Sequence, residues 1–117
     1  MDLLKQYEIL MTESDRILNL SERILAEIKG GMVEETLAPL LEEKHKVADN
    51  IKRLAQMIAQ TSGRLPTHPR EQGAGQTLIQ IKSLLKQIRS KAESLLRIEE
   101  ETQGVLKEKG ISELSDA

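Results

Sequence analysis

Apolar residues return along this chain at steps of three and four, the spacing that brings side chains onto one face of an α-helix. The first such stripe is Leu3, Tyr7, Leu10, Ile17, Ile24 and Ile28, with Ser14 and Ser21 holding two places in the same series. A second row, Leu4, Met11, Leu18 and Leu25, lies one position along and repeats every seven residues. Two adjacent rows make a stripe wider than the seam of a dimeric coiled coil, and they fit a helix that touches two neighbours. The spacing predicts this helix over residues 3–29. Gly30-Gly31 ends it, since glycine has low helix propensity and accepts left-handed dihedrals.

A second stripe runs Val33, Leu37, Leu40, Lys44, Val47, Ile51, Leu54 and Ile58, flanked by Leu41, Ala48 and Ala55. It predicts a helix over 33–60. Pro39 interrupts the pattern, because proline lacks a backbone donor and costs most in a helix interior. Either the helix starts near Val33 with local distortion at Pro39, or a short turn precedes a helix that starts near Ala38. The segment 61–75, TSGRLPTHPREQGAG, holds three glycines and two prolines and reads as a long flexible loop, with Leu65 packing back on the bundle end. A third helix is predicted over 76–109. Its apolar positions begin Leu78, Ile81, Leu84, Leu85 and Ile88, and continue with Ala92, Leu95, Leu96, Ile98, Val105 and Leu106. Gly104 weakens its last turns and Gly110 ends it.

Helices of these lengths span about 40 to 50 Å at 1.5 Å per residue. The short Gly-Gly link makes the first pair antiparallel, and the long loop returns the third helix beside them. The expected architecture is an all-α, elongated three-helix up-down-up antiparallel bundle, with residues 1–117 forming a single helical domain.

Composition agrees with helices and narrows the chemistry. Apolar residues are 38% and charged residues 31% of the chain, a balance that suits a thin bundle in which each helix gives one stripe to the interior. Tyr7 is the one aromatic, which argues against a strand-rich fold. The absence of cysteine removes disulfides, thiolate catalysis and cysteine-based metal sites. No stretch is apolar and long enough to enter a membrane, and no leader pattern opens the chain, so a cytoplasmic location is expected. The net charge of −2 is not that of a generic nucleic-acid binder.

Candidate chemistry is sparse. His45 follows Glu42 and Glu43, but no second histidine completes a metal-binding pair, and His68 sits between prolines in the loop. Glu99, Glu100 and Glu101 form a carboxylate run, but di-metal bundles use two Glu-x-x-His units and Glu42–His45 has no matching second one. Glu99 lies near the apolar seam, within reach of a cation such as Lys44. Ser14 and Ser21 have no base implied by spacing, and small polar residues in a seam permit close packing. The Gly-Ala-Gly of the loop lacks the following Lys-Ser/Thr of a phosphate-binding loop. No enzyme, cofactor or metal is expected. Lys82, Lys86, Arg89 and Lys91 cluster on one part of the third helix, where a weak contact with an acidic partner or a phosphate competes with ordinary surface charge, which the glutamates further along favour.

The segments LLKQYEILMTESDRILNLSERILAEI, LAPLLEEKHKVADNIKRLAQMI and LIQIKSLLKQIRSKAESLLRIEEETQGVL follow one another across residues 3–108. In layout and texture they resemble the FlgN/FliT-type flagellar export chaperones. The resemblance implies a small cytoplasmic chaperone that binds the C-terminal helical segment of a hook-associated or filament-cap protein and delivers it to the type III export apparatus. No nucleotide or metal is implied. The FliT type carries a short fourth helix, for which the residues after Gly110 leave little room.

A partner helix laid against an exposed apolar stripe is the expected mode of binding. The third helix carries two neighbouring rows. Its candidate contacts are Leu84, Leu85, Ile88, Leu95, Ile98 and Val105, with Lys82, Lys86 and Arg89 at the rim. For each of these leucines and isoleucines a core position is the stronger reading. The competing reading is a non-catalytic structural or adaptor bundle that closes its stripes in a homodimer or a hetero-complex. A nucleic-acid or small-ligand binder needs a concentrated basic face or a pocket of convergent polar groups, and the pattern shows neither.

Overall fold

The computed structural model describes residues 2–31, 33–62 and 74–110, and within them every regular element is helical. Three helices follow in order: α1, Leu3–Gly30; α2, Glu34–Ser62; and α3, Ala74–Glu108. Each lies within two residues of its expected bounds, but the connection is shorter than expected, because α2 continues to Ser62 and α3 begins at Ala74. The rest of that loop, with Leu65 and His68, lies outside the described residues, as does the tail after Gly110.

Local chemistry explains the ends. Asp2 caps α1, its Oδ1 accepting from the Lys5 amide at 2.8 Å. At the other end the Gly31 amide donates to the Glu27 carbonyl from a φ of 137°, a conformation that side chains resist. Gly110, at a φ of 80°, performs the same service after α3. Pro39 stands inside α2 without ending it. The Val33 carbonyl accepts from the Thr36 and Leu37 amides at 3.1 and 2.9 Å, so the helix is already wound before the proline, and a helix starting at Ala38 is ruled out. Proline there removes one donor, the partner of the exposed Glu35 carbonyl, near a helix end where water can replace it.

The core is a stack of three apolar groups along the long axis. Leu3 of α1 packs with Ile58 of α2 and Ile81 of α3 at one end. Ile17 and Leu20 meet Val47 near the middle, with Ile51 and Leu95 against them. Ile24 and Ile28 meet Leu37 and Leu106 at the far end. The start of α1 thus meets the end of α2 and the start of α3, which is the up-down-up order. Ile28 and Leu106 are fully enclosed. Burying such a side chain stabilises by roughly 1.5–3 kcal/mol.

Buried Gln6 and Thr102 each have a hydrogen-bond partner within the bundle. Gln6 is buried and its amide Nε2 donates to Thr61 Oγ1 at 3.1 Å, while that hydroxyl donates back to the Met57 carbonyl at 2.9 Å. Thr102 donates to the Ile98 carbonyl at 2.7 Å. The molecule measures 58 × 22 × 19 Å, with a radius of gyration of 17.8 Å. A compact chain of this length would have about 13 Å.

Candidate protein-binding surface

The three helices are not equivalent. α1 packs along both α2 and α3, whereas among the described residues no Cα of α2 lies within 8 Å of a Cα of α3. The double row read from α1 has this outcome: it serves two neighbours that are held apart from each other. Across the gap the contact is made by side chains. Lys44 of α2 pairs with Glu99 of α3, and Leu95 of α3 packs near Val47 of α2.

Ion pairs fix which flank of each helix borders the gap. On α2, Glu43 turns to Arg16 of α1 at 3.0 Å, so that flank lies over α1, and Lys44 marks the other. Leu41 and Ala48 stand three and four residues from Lys44, and Ala55 follows Ala48 by seven, so all three share the Lys44 side. Ala48 and Ala55 are exposed and Leu41 is half-buried. On α3, Lys91 pairs with Asp15 of α1, and Glu101 with Lys29 at 3.3 Å, which marks the α1 flank. Glu99 marks the α2 flank, and steps of seven back from it pass Ala92, Leu85 and Leu78, with Leu96 three before it. Leu78 is 42% and Leu96 61% exposed. The open side is therefore a shallow trough with alanines on one bank and leucines on the other.

The α3 bank carries two depressions. One is lined by Lys82, Leu85, Lys86, Arg89, Ser90 and Glu93, the other by Glu99, Glu100, Gln103, Gly104 and Lys107. Lys44 and Glu99 bridge the trough between Ala48 and Leu96, and Ser21 of α1 donates to the same carboxylate oxygen at 3.4 Å. The expected contact between Glu99 and Lys44 is thereby present. Ser14 and Ser21 are both buried in the seam.

The candidate contact residues divide among three places. Leu85 joins Lys82, Lys86 and Arg89 in the first depression, and the three cations are exposed. Ile88 and Leu95 are half-buried on the inward side, Leu95 packed near Val47. Leu84, Ile98 and Val105 are half-buried and fall, by steps of seven, in the row of Lys91 on the α1 flank; Val105 packs against the far-end core. They do not form one continuous surface. Leu78, Ala92 and Leu96 border the trough; the spacing placed them among the apolar positions of the third helix but did not single them out as contact residues. Ile79, about 100° round the helix from Leu78, is 68% exposed on the outer face of α3.

Nothing in the described residues assembles a reaction centre. His45 is exposed, with Nε2 3.9 Å from Asp49 Oδ2 one turn on. Among the described residues no group of three or more His, Asp or Glu stands close enough to hold a metal ion, and no helix is long and apolar enough to cross a membrane. Comparison with known protein families, with curated proteins and with solved structures gives no significant match.

Proposed function

We propose that this chain is a non-catalytic adaptor bundle that receives a helical segment of a protein partner in the trough between α2 and α3. The observation that carries the proposal is the separation of those two helices, whose facing banks present exposed alanine and leucine rows while only side chains bridge them. A guest helix needs an interaxial distance of about 8–10 Å to each host helix, and small residues allow the nearer approach. Such a guest completes a four-helix arrangement and buries Leu78 and Leu96, which the isolated chain leaves in water.

A narrower reading follows from the layout of residues 3–108. On that reading the guest is the C-terminal helical segment of a flagellar hook-associated or filament-cap protein, held in the cytoplasm until export. The up-down-up order of three long amphipathic helices supports it.

Photo-crosslinking tests both. A benzophenone side chain at Ala48 should capture a helical segment of a partner in host lysate. The same group at Arg53, which lies on the Glu43 flank, should not. Capture at both positions or at neither overturns the trough. If the captured peptide comes from the C-terminal region of a flagellar axial protein, the narrower reading holds; any other helical partner removes it.

A further inference from the structure

One end of the trough has a charge pattern that its apolar rows do not require. Residues 50–62 of α2 and 74–92 of α3 contain six Lys/Arg and no Asp or Glu. Both stretches lie at the end where Ile58 meets Ile81. Lys82, Lys86 and Arg89 stand three and four residues apart, on one face of α3 around Leu85, and repel one another at that spacing. Glu93 is the sole carboxylate lining their depression.

Among the described residues none of these three cations has an ion-pair partner, and neither has Lys52, which lies between Ala48 and Ala55 along the opposite bank. The contrast is with Lys29, Lys44 and Lys91, each of which is matched to a carboxylate on another helix. Of the large apolar residues left exposed at this end, Leu78 borders the trough.

Resting on the adaptor reading, we infer that the segment received at this end is an amphipathic helix of another protein, with an apolar stripe flanked by Glu or Asp. The stripe covers Leu78 and Leu85, and the flanking carboxylates meet Lys82, Lys86 and Arg89 on one side and Lys52 on the other. Charge complementarity of this kind selects the partner and sets its register more than it adds affinity. A nucleic acid is the poorer match. Unspecific single-strand binding uses aromatic stacking platforms, and the one aromatic, Tyr7, is packed against the core at this end.

The test uses displayed helical peptides with leucines fixed at heptad spacing and flanking positions randomised, selected on the full chain. Peptides with acidic flanks should be recovered. Their binding should weaken with salt and fall at least about tenfold in the Lys82→Glu, Lys86→Glu, Arg89→Glu triple variant. Exchanging the peptide's glutamates for lysines should restore binding to that variant. The three positions are exposed and unpaired, so its thermal unfolding should match the parent. Peptides with neutral or basic flanks, or equal binding by the triple variant, overturn the acidic partner and leave the adaptor reading standing. Recovery of no helix from a chain that light scattering shows to be dimeric overturns both. A duplex oligonucleotide bound more tightly than any selected peptide overturns the protein partner altogether.

Discussion

Lys44 on α2 and Glu99 on α3 form an ion pair between helices whose described backbones never come within 8 Å of each other, and Ser21 of α1 donates to the same carboxylate oxygen. One carboxylate therefore ties all three helices at a single level. The lysine side chain is 24% exposed and the glutamate 37%, so the pair is neither fully wet nor fully enclosed.

Removing the acid should cost an intermediate amount. Exposed pairs contribute about 0–1 kcal/mol, and breaking a buried pair costs about 3–5. Glu99→Ala is expected to lower stability by roughly 1–2 kcal/mol. The double change Lys44→Met, Glu99→Leu should recover most of that, since no charge is left without its partner. Urea unfolding of Lys44→Met, Glu99→Leu and the double variant closes the cycle, with Glu99→Ala measured beside them. A single variant as stable as the parent would show that the tie contributes nothing.

Leu95 and Leu96 are neighbours in sequence with opposite surroundings. Leu95 packs near Val47 and Ile17, while Leu96 is 61% exposed on the trough bank. Leu95→Glu should unfold the chain or weaken it by about 3 kcal/mol or more, through an unpaired charge in the core. Leu96→Glu should stay within about 0.5 kcal/mol of the parent and yet weaken partner capture. Circular dichroism melts separate the two, and a stable Leu95→Glu protein would place that leucine at a surface.

Two glycines should respond in opposite directions to alanine. Gly31 sits at a φ of 137°, so Gly31→Ala is strained even though nothing stands within 4 Å of an added methyl group. A loss of roughly 1–2 kcal/mol is expected. Gly104 lies within α3 with the same open space, and Gly104→Ala should stabilise by about 0.5–1 kcal/mol through helix propensity. Thermal unfolding checks both signs.

Much of this architecture was legible because helical spacing is local. The paired rows Leu3/Leu4 and Ile24/Leu25 announced a helix with two neighbours, and α1 is that helix. Gly31 and Gly110 announced the ends. Pro39 could not be resolved from the pattern, since its cost depends on which carbonyl loses a donor, and that carbonyl proved to be the exposed one of Glu35 near the helix start. The candidate surface was less legible for a related reason. Spacing fixes the angle of a residue about its own axis but not where the neighbouring axes lie. Leu85 and Val105 both pack against an end of the core, yet Leu85 also lines the depression beside Lys82 while Val105 lies on the α1 flank. The gap between α2 and α3 follows from the placement of whole helices, and no residue type marks it.

That gap gives the molecule an uneven compliance. The α1–α2 seam and the α1–α3 seam share a helix but no backbone contact with each other, so a sideways push on α3 is not passed straight to α2. The angle of α3 about the long axis of α1 is set across the gap by side chains alone. Its restraints are the Lys44–Glu99 tie and the few inward side chains that meet across the gap. The hairpin of α1 and α2, closed by a tight glycine turn, keeps its own seam throughout. Widening or narrowing of the open side therefore falls on one seam alone, and a guest of different girth is accommodated by a change of dihedral between two planes rather than by repacking of the whole core.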